Sequence, residues 1–420
     1  MPKLPKTPSH PSRPARADGI LVQLAKGGSK AKSMERLKDV VAGSLNGKWK
    51  IKLINHQDRI YELVRTKPDS QPTVRQAFDM ARVLEASDDV AMAEVGAIVP
   101  GADPALGQVY PQAQQKAIAK STGKDEHKPC SHFEEWALTA TRVQAAWALP
   151  LPDGGKPQGE NSVVAHPDTG YTRHPEFFET GRVLVARGYD FEDDDKSPLD
   201  PMKGKAPGHG TATGSVIMGA AGNQSPNLPH YVSGVAPRAK LIPIRVSTSV
   251  VHLSFRRLVR GIYHAIDERA HVISLSLGGP FYSGSLETAV NAAIDRGIIV
   301  IAAAGNVWPW VVYPAKLDRV IAIAASNCAS KPWGRSASGS AVDVSAPGES
   351  VWRARARQST SGRFSNRRSN GTSYATAMTA GACAMWLAYH GRSELIRKYG
   401  KENLAAVFRH LLVNNVETPT

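Results

Sequence analysis

The chain has 420 residues, a formal net charge of +15, 42% hydrophobic residues and three cysteines. This length accommodates two or three domains with a sizeable core. No stretch approaches the roughly 18–20 uninterrupted apolar residues of a membrane span, so no membrane partner is expected. The cysteines are too few and too scattered for a disulfide framework or a zinc site. The start of the chain shows no apolar leader, so a cytoplasmic location is expected.

The positive charge is concentrated in two places. Residues 1–67 hold 15 Lys or Arg against 5 Asp or Glu, and the run "WRARARQSTSGRFSNRR" (352–368) carries six arginines and no acid. Such charge attracts nucleic acid or an acidic protein. A solvated face with a flexible loop is the simpler interpretation. Because no aromatic stacking pattern or helix-turn-helix signature accompanies the charge, nucleic acid is not expected as a partner.

The first hundred residues contain a short tail and a compact pattern. Residues 1–18 are rich in Pro, Ser and Arg without periodicity, which predicts a disordered basic tail. Residues 19–100 predict the order βαββαβ, with strands at "ILVQLA", "KWKIKLI", "RIYELVRT" and "VAMAEVGAIV". The two helices are predicted from apolar spacing, namely Met34, Leu37, Val40 and Val41, then Val74, Ala77, Phe78, Ala81 and Leu84. This is a small α+β domain of the ferredoxin-like kind.

The remainder of the chain divides into a linker and a larger domain. Residues 101–130 lose all periodicity and predict an exposed linker. Residues 131–420 alternate helical segments with the apolar runs "SVVAHP", "KLIPIRV", "HVISLSLG", "GIIVIAAAG" and "RVIAIAAS". Near-continuous apolar strands separated by helices predict a parallel, doubly wound α/β sheet. In such sheets sites form at the carboxyl ends of the strands.

Three residues in this larger domain could act together chemically. Asp168 directly follows an apolar strand, His209 opens a helix of small residues, and Ser373 opens another. A serine hydroxyl is inert until a base takes its proton, and the base needs an acid to orient it. Each residue taken alone also fits a purely structural role. Asp168 could be a turn residue, and His209 and Ser373 could be helix caps.

The motifs around these residues resemble those of the subtilisin-like serine proteases, or subtilases. Asp-Thr-Gly stands at 168–170, His-Gly-Thr at 209–211 and Gly-Thr-Ser at 371–373, in the order known from subtilisin. The stretch "HVISLSLGGPFYSGSLETAVNAAIDRGIIVIAAAGN" is also similar to the central part of the family. The resemblance runs from about Phe133 onward and implies a subtilisin-like fold for 131–420.

The resemblance implies a serine endopeptidase that acts on protein or peptide substrates and requires no cofactor. Asp168, His209 and Ser373 would be the triad, and Asn306 would complete an oxyanion hole with the backbone N–H of Ser373. Alternatively, Asn306 only forms a turn. Two further features would bind the substrate. One is the segment that lines the cleft, formed by Ser276, Leu277 and Gly278. The other is Val312, at the floor of the pocket for the residue before the scissile bond. A valine at that floor favours substrates with a small residue before the scissile bond over substrates with Phe there.

One segment departs from the family pattern, and the function of a second segment stays open. After the nucleophile the family usually has Ala-Ala-Pro-His, whereas this chain has Ala375-Thr376-Ala377-Met378, which removes no catalytic group. The acidic segment "EDDDKSPLD" (192–200) allows three interpretations. It could bind calcium for stability, form a solvated loop, or pair with the arginine run at 353–368.

The N-terminal pattern also resembles a known part of subtilases. Residues 19–100 are similar in order and position to their propeptide, which implies an intramolecular chaperone and inhibitor, removed by self-cleavage in or near 101–130. An unrelated docking domain is the alternative. For the whole chain, two competing functions are a catalytically latent subtilase scaffold that acts by binding and a nucleic-acid-associated regulator that uses the basic front half.

Overall fold

The computed structural model describes residues 16–25, 30–67, 71–98, 135–178, 180–220, 232–358 and 364–415. The chain divides into two compact units, Met1–Leu106 and Gly107–Thr420. The predicted linker at 101–130 and most of the predicted tail lie outside the described residues. Within the described ranges, no helix is both long and apolar enough to cross a membrane.

The N-terminal unit is a four-stranded antiparallel sheet with two helices. Its strands have the order β2-β3-β1-β4. In chain order its elements are β1 (Arg16–Leu24), α1 (Lys30–Ser44), β2 (Trp49–Asn55), β3 (Ile60–Arg65), α2 (Val74–Glu85) and β4 (Val90–Ile98). The predicted ferredoxin-like α+β fold is confirmed. Because β1 begins at Arg16, residues 16–18 belong to the sheet rather than to the predicted tail.

The core of the N-terminal unit comes from one face of each helix. Leu37 and Val41 of α1 are buried, as their spacing predicted. On α2 the buried residues are Ala77, Ala81 and Leu84. The prediction that Phe78 shares this face is wrong, because its side chain is 53% exposed. One residue along a helix turns a side chain by about 100°, which places Phe78 beside the buried stripe rather than within it.

The C-terminal unit is built on a seven-stranded parallel sheet of order β11-β10-β9-β8-β5-β7-β6. Its strands are β5 (Val163–Asp168), β6 (Tyr189–Asp190), β7 (Lys240–Arg245), β8 (Val272–Leu275), β9 (Ile299–Ala303), β10 (Ile321–Ser326) and β11 (Val344–Pro347). Its helices are α3 (Trp136–Ala140), α4 (Val143–Trp147), α5 (His209–Met218), α6 (Arg256–Asp267), α7 (Gly284–Asp295), α8 (Thr372–His390), α9 (Arg392–Tyr399) and α10 (Leu404–Asn414).

The apolar runs explain why these strands lie inside the sheet. Every residue of β5, β8 and β9 is buried, as expected for parallel strands covered on both sides. Helix α8 packs across β8, β9, β10 and β11. It packs closely because it is rich in small residues, and a Cβ added at Gly381 would lie 2.6 Å from the Cβ of Val235. The predicted doubly wound α/β fold is confirmed.

The basic run at 352–368 is a β-hairpin over most of its length rather than a flexible loop. Strands β12 (Val351–Ala356) and β13 (Phe364–Ser369) pair antiparallel, with Arg353 opposite Arg367. The hairpin packs against α5, where the backbone N–H of Ala354 donates to Ser215 Oγ at 2.9 Å. Residues 359–363, which join the strands, lie outside the described part of the chain.

The cysteines differ from the expectation based on their number. Cys328 is disulfide-bonded, and its partner lies outside the described residues. Cys383 is a free thiol buried in α8. Three scattered cysteines gave no sign of a disulfide because pairing depends on distance in the fold, not on spacing along the chain.

Candidate active site

Asp168 and His209 meet where β5 ends and α5 begins. His209 Nδ1 lies 2.8 Å from Asp168 Oδ1 and 3.0 Å from Oδ2. Asp168 is fully buried, and its Oδ1 also accepts the backbone N–H of Thr169 at 2.7 Å. A buried carboxylate on Nδ1 fixes the tautomer of the imidazole, so that Nε2 can act as a base.

Glycine at position 210 allows this close approach. A Cβ added at Gly210 would lie 2.1 Å from the carbonyl oxygen of Gly170 and 3.3 Å from the Cβ of Asp168. Any side chain there would push α5 away from the loop that follows β5. The glycine in the His-Gly-Thr motif is therefore needed to bring His209 to Asp168.

A second imidazole lies near the Asp168 carboxylate. His166, buried in β5, places Nε2 at 2.8 Å from Thr213 Oγ1 and 3.7 Å from Asp168 Oδ2. Burial alone would raise the pKa of Asp168, but His209, His166 and the Thr169 N–H together lower it below the ordinary value. Burial lowers the pKa of His166. At neutral pH Asp168 is therefore ionised and His166 is neutral.

Ser373 is held against the end of β8 by a reciprocal pair of hydrogen bonds. Its hydroxyl donates to the carbonyl oxygen of Ser276 at 3.2 Å, and Ser276 Oγ donates to the carbonyl oxygen of Ser373 at 3.0 Å. Ser373 is the second residue of α8, so its backbone N–H belongs to the first turn and has no intrahelical acceptor.

Asn306 lies beside this N–H with its amide in a defined orientation. Asn306 Oδ1 accepts both the backbone N–H and the hydroxyl of Thr372, each at 2.8 Å. Because Oδ1 accepts from both groups of Thr372, the amide nitrogen Nδ2 faces away from them. A Cβ added at Gly371 would lie 3.4 Å from Nδ2 and 3.7 Å from Ser373 N. Glycine thus leaves open the space where two donors meet, which is the geometry of an oxyanion hole.

A small cavity of about 40 Å³ adjoins Ser373 and is lined by Ser276, Leu277, Gly278 and Val312. Ideal Cβ positions on Gly278 and Gly305 would lie 2.8 Å and 3.3 Å from the Val312 methyl groups. The valine side chain therefore fills the space between the segments after β8 and β9, and it makes the cavity shallow.

The backbone of Gly278 is already paired within the protein. Its N–H donates to the carbonyl oxygen of Val250 at 3.0 Å, and its own carbonyl oxygen accepts the N–H of His252 at 2.8 Å. This bridge occupies both hydrogen-bonding groups of Gly278. A substrate that pairs with Gly278 must first displace residues 250–252.

Asp200 also supports the site, and no sequence pattern pointed to it. Its Oδ2 accepts the Gly208 N–H and the Thr169 hydroxyl, each at 2.7 Å. The Thr169 hydroxyl oxygen accepts the Gly210 N–H at 3.1 Å. This buried chain ties the first turn of α5 to the end of β5. In the sequence Asp200 is only the last acid of an acidic run, and no spacing distinguishes it.

Three acids of this run, and Asp190 just before it, pair with arginines of the C-terminal unit. Asp190 and Asp193 contact Arg245, Glu192 contacts Arg257, and Asp194 contacts Arg260. These contacts with Arg245, Arg257 and Arg260 favour a different arrangement from the suggested pairing with the arginine run at 353–368. Among the residues that the structure describes, no group of three or more His, Cys, Asp or Glu could hold a metal ion. The acidic segment, neutralised by arginines, does not fit a calcium ion.

Comparison with known proteins identifies the class to which this fold and site belong. The model of the subtilase family matches residues 159–418. Thermitase of Thermoactinomyces vulgaris is 33% identical over 250 residues, covering 59% of this chain and 82% of thermitase. Subtilisin E of Bacillus subtilis is 36% identical over 238 residues, covering 55% of this chain and 57% of subtilisin E.

Two solved structures share the fold. Fervidolysin of Fervidobacterium pennivorans, a keratinolytic enzyme, aligns at 21% identity and a TM-score of 0.61, covering 90% of this chain and 56% of that one. A protease of Pseudoalteromonas arctica aligns at 24% identity and a TM-score of 0.56, covering 68% of this chain and 91% of that one.

The chain therefore belongs to the subtilase family. It is a subtilisin-like serine peptidase, a hydrolase of proteins or peptides that needs no organic cofactor.

Proposed function

We propose that the chain is a serine endopeptidase that works through a Ser373–His209–Asp168 triad and an acyl-enzyme. The observation that carries this proposal is the meeting of two hydrogen-bond donors, Asn306 Nδ2 and Ser373 N, beside the Ser373 hydroxyl. A base oriented by a buried carboxylate lies at the start of the neighbouring helix.

The chemistry follows from these positions. The Ser373 hydroxyl turns from the carbonyl oxygen of Ser276 toward His209 Nε2, which takes its proton as Oγ attacks the peptide carbonyl. The carbonyl oxygen becomes an oxyanion between Asn306 Nδ2 and Ser373 N–H. His209 then protonates the leaving amine, and water, activated by the same imidazole, releases the acyl group from Ser373. Asp168 stays ionised throughout because its pKa is lowered.

We also propose that the residue before the scissile bond is small. Support comes from Val312, which is 3% exposed and fills the space between Gly278 and Gly305. Ala, Ser or Gly fits such a shallow pocket, whereas Phe would need the valine to move.

We propose further that the N-terminal unit is a propeptide that assists folding, inhibits the enzyme and is removed by self-cleavage in or near 101–130. Two features support this role, its βαββαβ fold and its position before the peptidase domain. The alignment with fervidolysin covers 90% of this chain, which is more than the C-terminal unit alone accounts for. The aligned region therefore includes part of the N-terminal unit.

The test is the intact mass of the wild-type full chain and of Ser373→Ala after incubation. We expect the wild type to split in or near 101–130 while the variant stays whole. The new amino terminus would report the residue preferred before the cut. If both chains stay whole and the wild type does not react with a fluorophosphonate, the protein is a latent scaffold and the proposed activity is wrong.

A further inference from the structure

His166 is a buried histidine that the proposed mechanism does not use. It lies in β5 two residues before Asp168, so both side chains point to the same face of the sheet, toward α5. The imidazole is 2% exposed and the carboxylate is fully buried. A buried polar ring is costly unless its hydrogen bonds are made within the protein. The contacts of the ring therefore indicate what it does at this place.

The His166 ring reaches Asp168 through Thr213. His166 Nε2 lies 2.8 Å from Thr213 Oγ1 and 3.7 Å from Asp168 Oδ2. Thr213 Oγ1 in turn lies 3.4 Å from the same Oδ2 and 2.9 Å from the carbonyl oxygen of His209. A buried imidazole and a buried hydroxyl thus lie together beside one oxygen of the carboxylate that orients the catalytic base.

The direction of these hydrogen bonds follows from the number of protons. The Thr213 hydroxyl has one proton, and two oxygen acceptors are near it, the carbonyl of His209 and Asp168 Oδ2. Once either oxygen accepts that proton, His166 Nε2 has to be the donor in its own contact with Thr213. The reverse arrangement would leave a ring lone pair facing the carboxylate, which repels it. We therefore assign the proton of the neutral His166 ring to Nε2.

The surroundings of His166 keep its ring neutral at neutral pH. Burial lowers its pKa most, the charge of Asp168 acts in the opposite direction, and His209 lowers the pKa further. From β8, only the carbonyl group of Ser274 acts on the ring. On β7, Arg245 lies opposite Asp168 in register, but its guanidinium group contacts two other carboxylates. His166 therefore acts as a neutral donor and not as a charge.

We infer that His166 is a positioning residue, which through Thr213 holds the Oδ2 atom of Asp168 in the orientation that the catalytic base needs. The inference rests on the proposed endopeptidase function. His209 Nδ1 lies 2.8 Å from Oδ1 and 3.0 Å from Oδ2, so a small rotation of the carboxylate changes both contacts. The N–H of Thr169 fixes Oδ1 at 2.7 Å. The hydroxyl held by the second imidazole does the same for Oδ2.

The test compares three substitutions of His166 in the full chain. His166→Gln keeps a neutral N–H donor near the position of Nε2, and His166→Leu has a similar size without a donor. His166→Asn carries its amide too close to the backbone to reach Thr213. On a peptide cleaved after Ala, we expect the leucine and asparagine variants to lower kcat about tenfold with little change in KM. The glutamine variant should stay within about threefold of the wild type.

A double-mutant cycle with Thr213 separates positioning from a general loss of packing. If His166 acts through the Thr213 hydroxyl, adding Thr213→Val to His166→Leu removes nothing more. The double variant should then lose about tenfold in kcat, as each single variant does. Independent effects would multiply to about a hundredfold.

The pH profile checks that the neutral ring is the active form. Because glutamine does not titrate, the acid limb of kcat/KM should coincide in the wild type and in His166→Gln. His271→Leu is the matched control, since His271 is a partly buried histidine at the opposite end of β5, where its Nδ1 accepts the N–H of Val163 at 3.3 Å. This change should leave kcat unchanged.

Three outcomes overturn the inference. Equal losses of kcat in the glutamine and leucine variants, at similar melting temperatures, would show that the Nε2 donor has no role. If the leucine variant does not fold, equal losses in the glutamine and asparagine variants show the same. A hundredfold loss in the double variant, or an acid limb that moves in His166→Gln, would also contradict it.

These outcomes are distinct from a failure of the proposed function. Cleavage of the peptide by the wild type leaves the endopeptidase function standing, whatever the variants of His166 do. No cleavage by the wild type, together with no fluorophosphonate labelling, refutes the proposed function and the inference with it.

Discussion

Thr213 links three parts of the catalytic site through one hydroxyl group. Its Oγ1 lies 2.8 Å from His166 Nε2, 3.4 Å from Asp168 Oδ2 and 2.9 Å from the carbonyl oxygen of His209. One hydroxyl thus contacts the Asp168 carboxylate, the backbone of His209 and a second imidazole. We interpret Thr213 as a positioning residue that keeps Asp168 aligned with His209.

Thr213→Val should lower kcat about tenfold with little change in KM, because valine keeps the volume and removes the hydroxyl next to a buried charge. Thr213→Ser keeps the hydroxyl and serves as the control, with kcat expected within about twofold of the wild type. Steady-state kinetics on one peptide measures both. Equal losses in the two variants would show that the hydroxyl has no such role.

Asn306→Ala should lower kcat about 100- to 1000-fold, the size known for the oxyanion asparagine of subtilisin. The side chain is 2.8 Å from two groups of Thr372, so part of any loss could come from structure. The melting temperature of the variant separates the two effects. A kcat close to that of the wild type would contradict the assignment of Asn306.

At the scale of elements, the pocket depends on how closely the ends of β8 and β9 approach Val312. Val312→Gly should open the cavity and raise kcat/KM for Phe relative to Ala about tenfold or more, since pocket contacts of this size discriminate by such factors. A peptide pair that differs only before the scissile bond measures the ratio. An unchanged ratio would mean that Val312 does not limit the pocket.

The elements of the C-terminal sheet were predictable, and the hairpin was not. Strands such as β9 are continuous apolar runs, a pattern typical of parallel strands that are buried on both faces. Strand β12, "VWRARA", does alternate with a period of two, which is a strand pattern. Its alternate residues are arginine and alanine, however, so charge rather than apolar character dominates the segment. The small side chains pack inward on α5, a neighbour that sequence alone does not reveal.

At the scale of the whole molecule, acid should destabilise the fold through three histidines. Burial is the main cause that lowers the pKa values of His174, His252 and His271 to about 4. The unfolded chain binds protons at these groups below about pH 6.5, while the folded chain does not. Each contributes about 1.4 kcal/mol per pH unit, so the free energy of unfolding should fall by roughly 4 kcal/mol per unit near pH 5.

Urea unfolding of the Ser373→Ala chain between pH 7 and pH 4 measures this slope without self-digestion. Stability that is flat over this range would contradict the low pKa values.

The disulfide gives a second measurement on the whole chain. Thiol titration in denaturant should find one thiol per chain before reduction and three afterwards, because Cys328 is bonded and Cys383 is free. Three thiols before reduction would contradict the bond. The cytoplasmic location stays a prediction, and a structural disulfide argues against it, since such bonds persist mainly in oxidising compartments.

The sequence led to part of the site and missed its supports for a physical reason. Asp168, His209 and Ser373 stand at strand ends and helix starts within short motifs, and local pattern is enough to select them. Thr213 and Asp200 act through distances set by the packing of α5 against the end of β5. The contacts of Thr213 with Asp168 and of Asp200 with Thr169 join residues 45 and 31 positions apart, and they leave no periodic trace in the sequence.

The internal bridge at Gly278 has a consequence for how a substrate is chosen. An incoming peptide backbone would replace the hydrogen bonds of Val250 and His252 with its own. Because such an exchange keeps the number of hydrogen bonds constant, its net free energy is close to zero. Extended shape alone should therefore contribute little affinity at this edge. The side chains of the substrate should then decide which bonds are cleaved. Cleavage should therefore depend more on the local sequence of a substrate protein than on the accessibility of the segment.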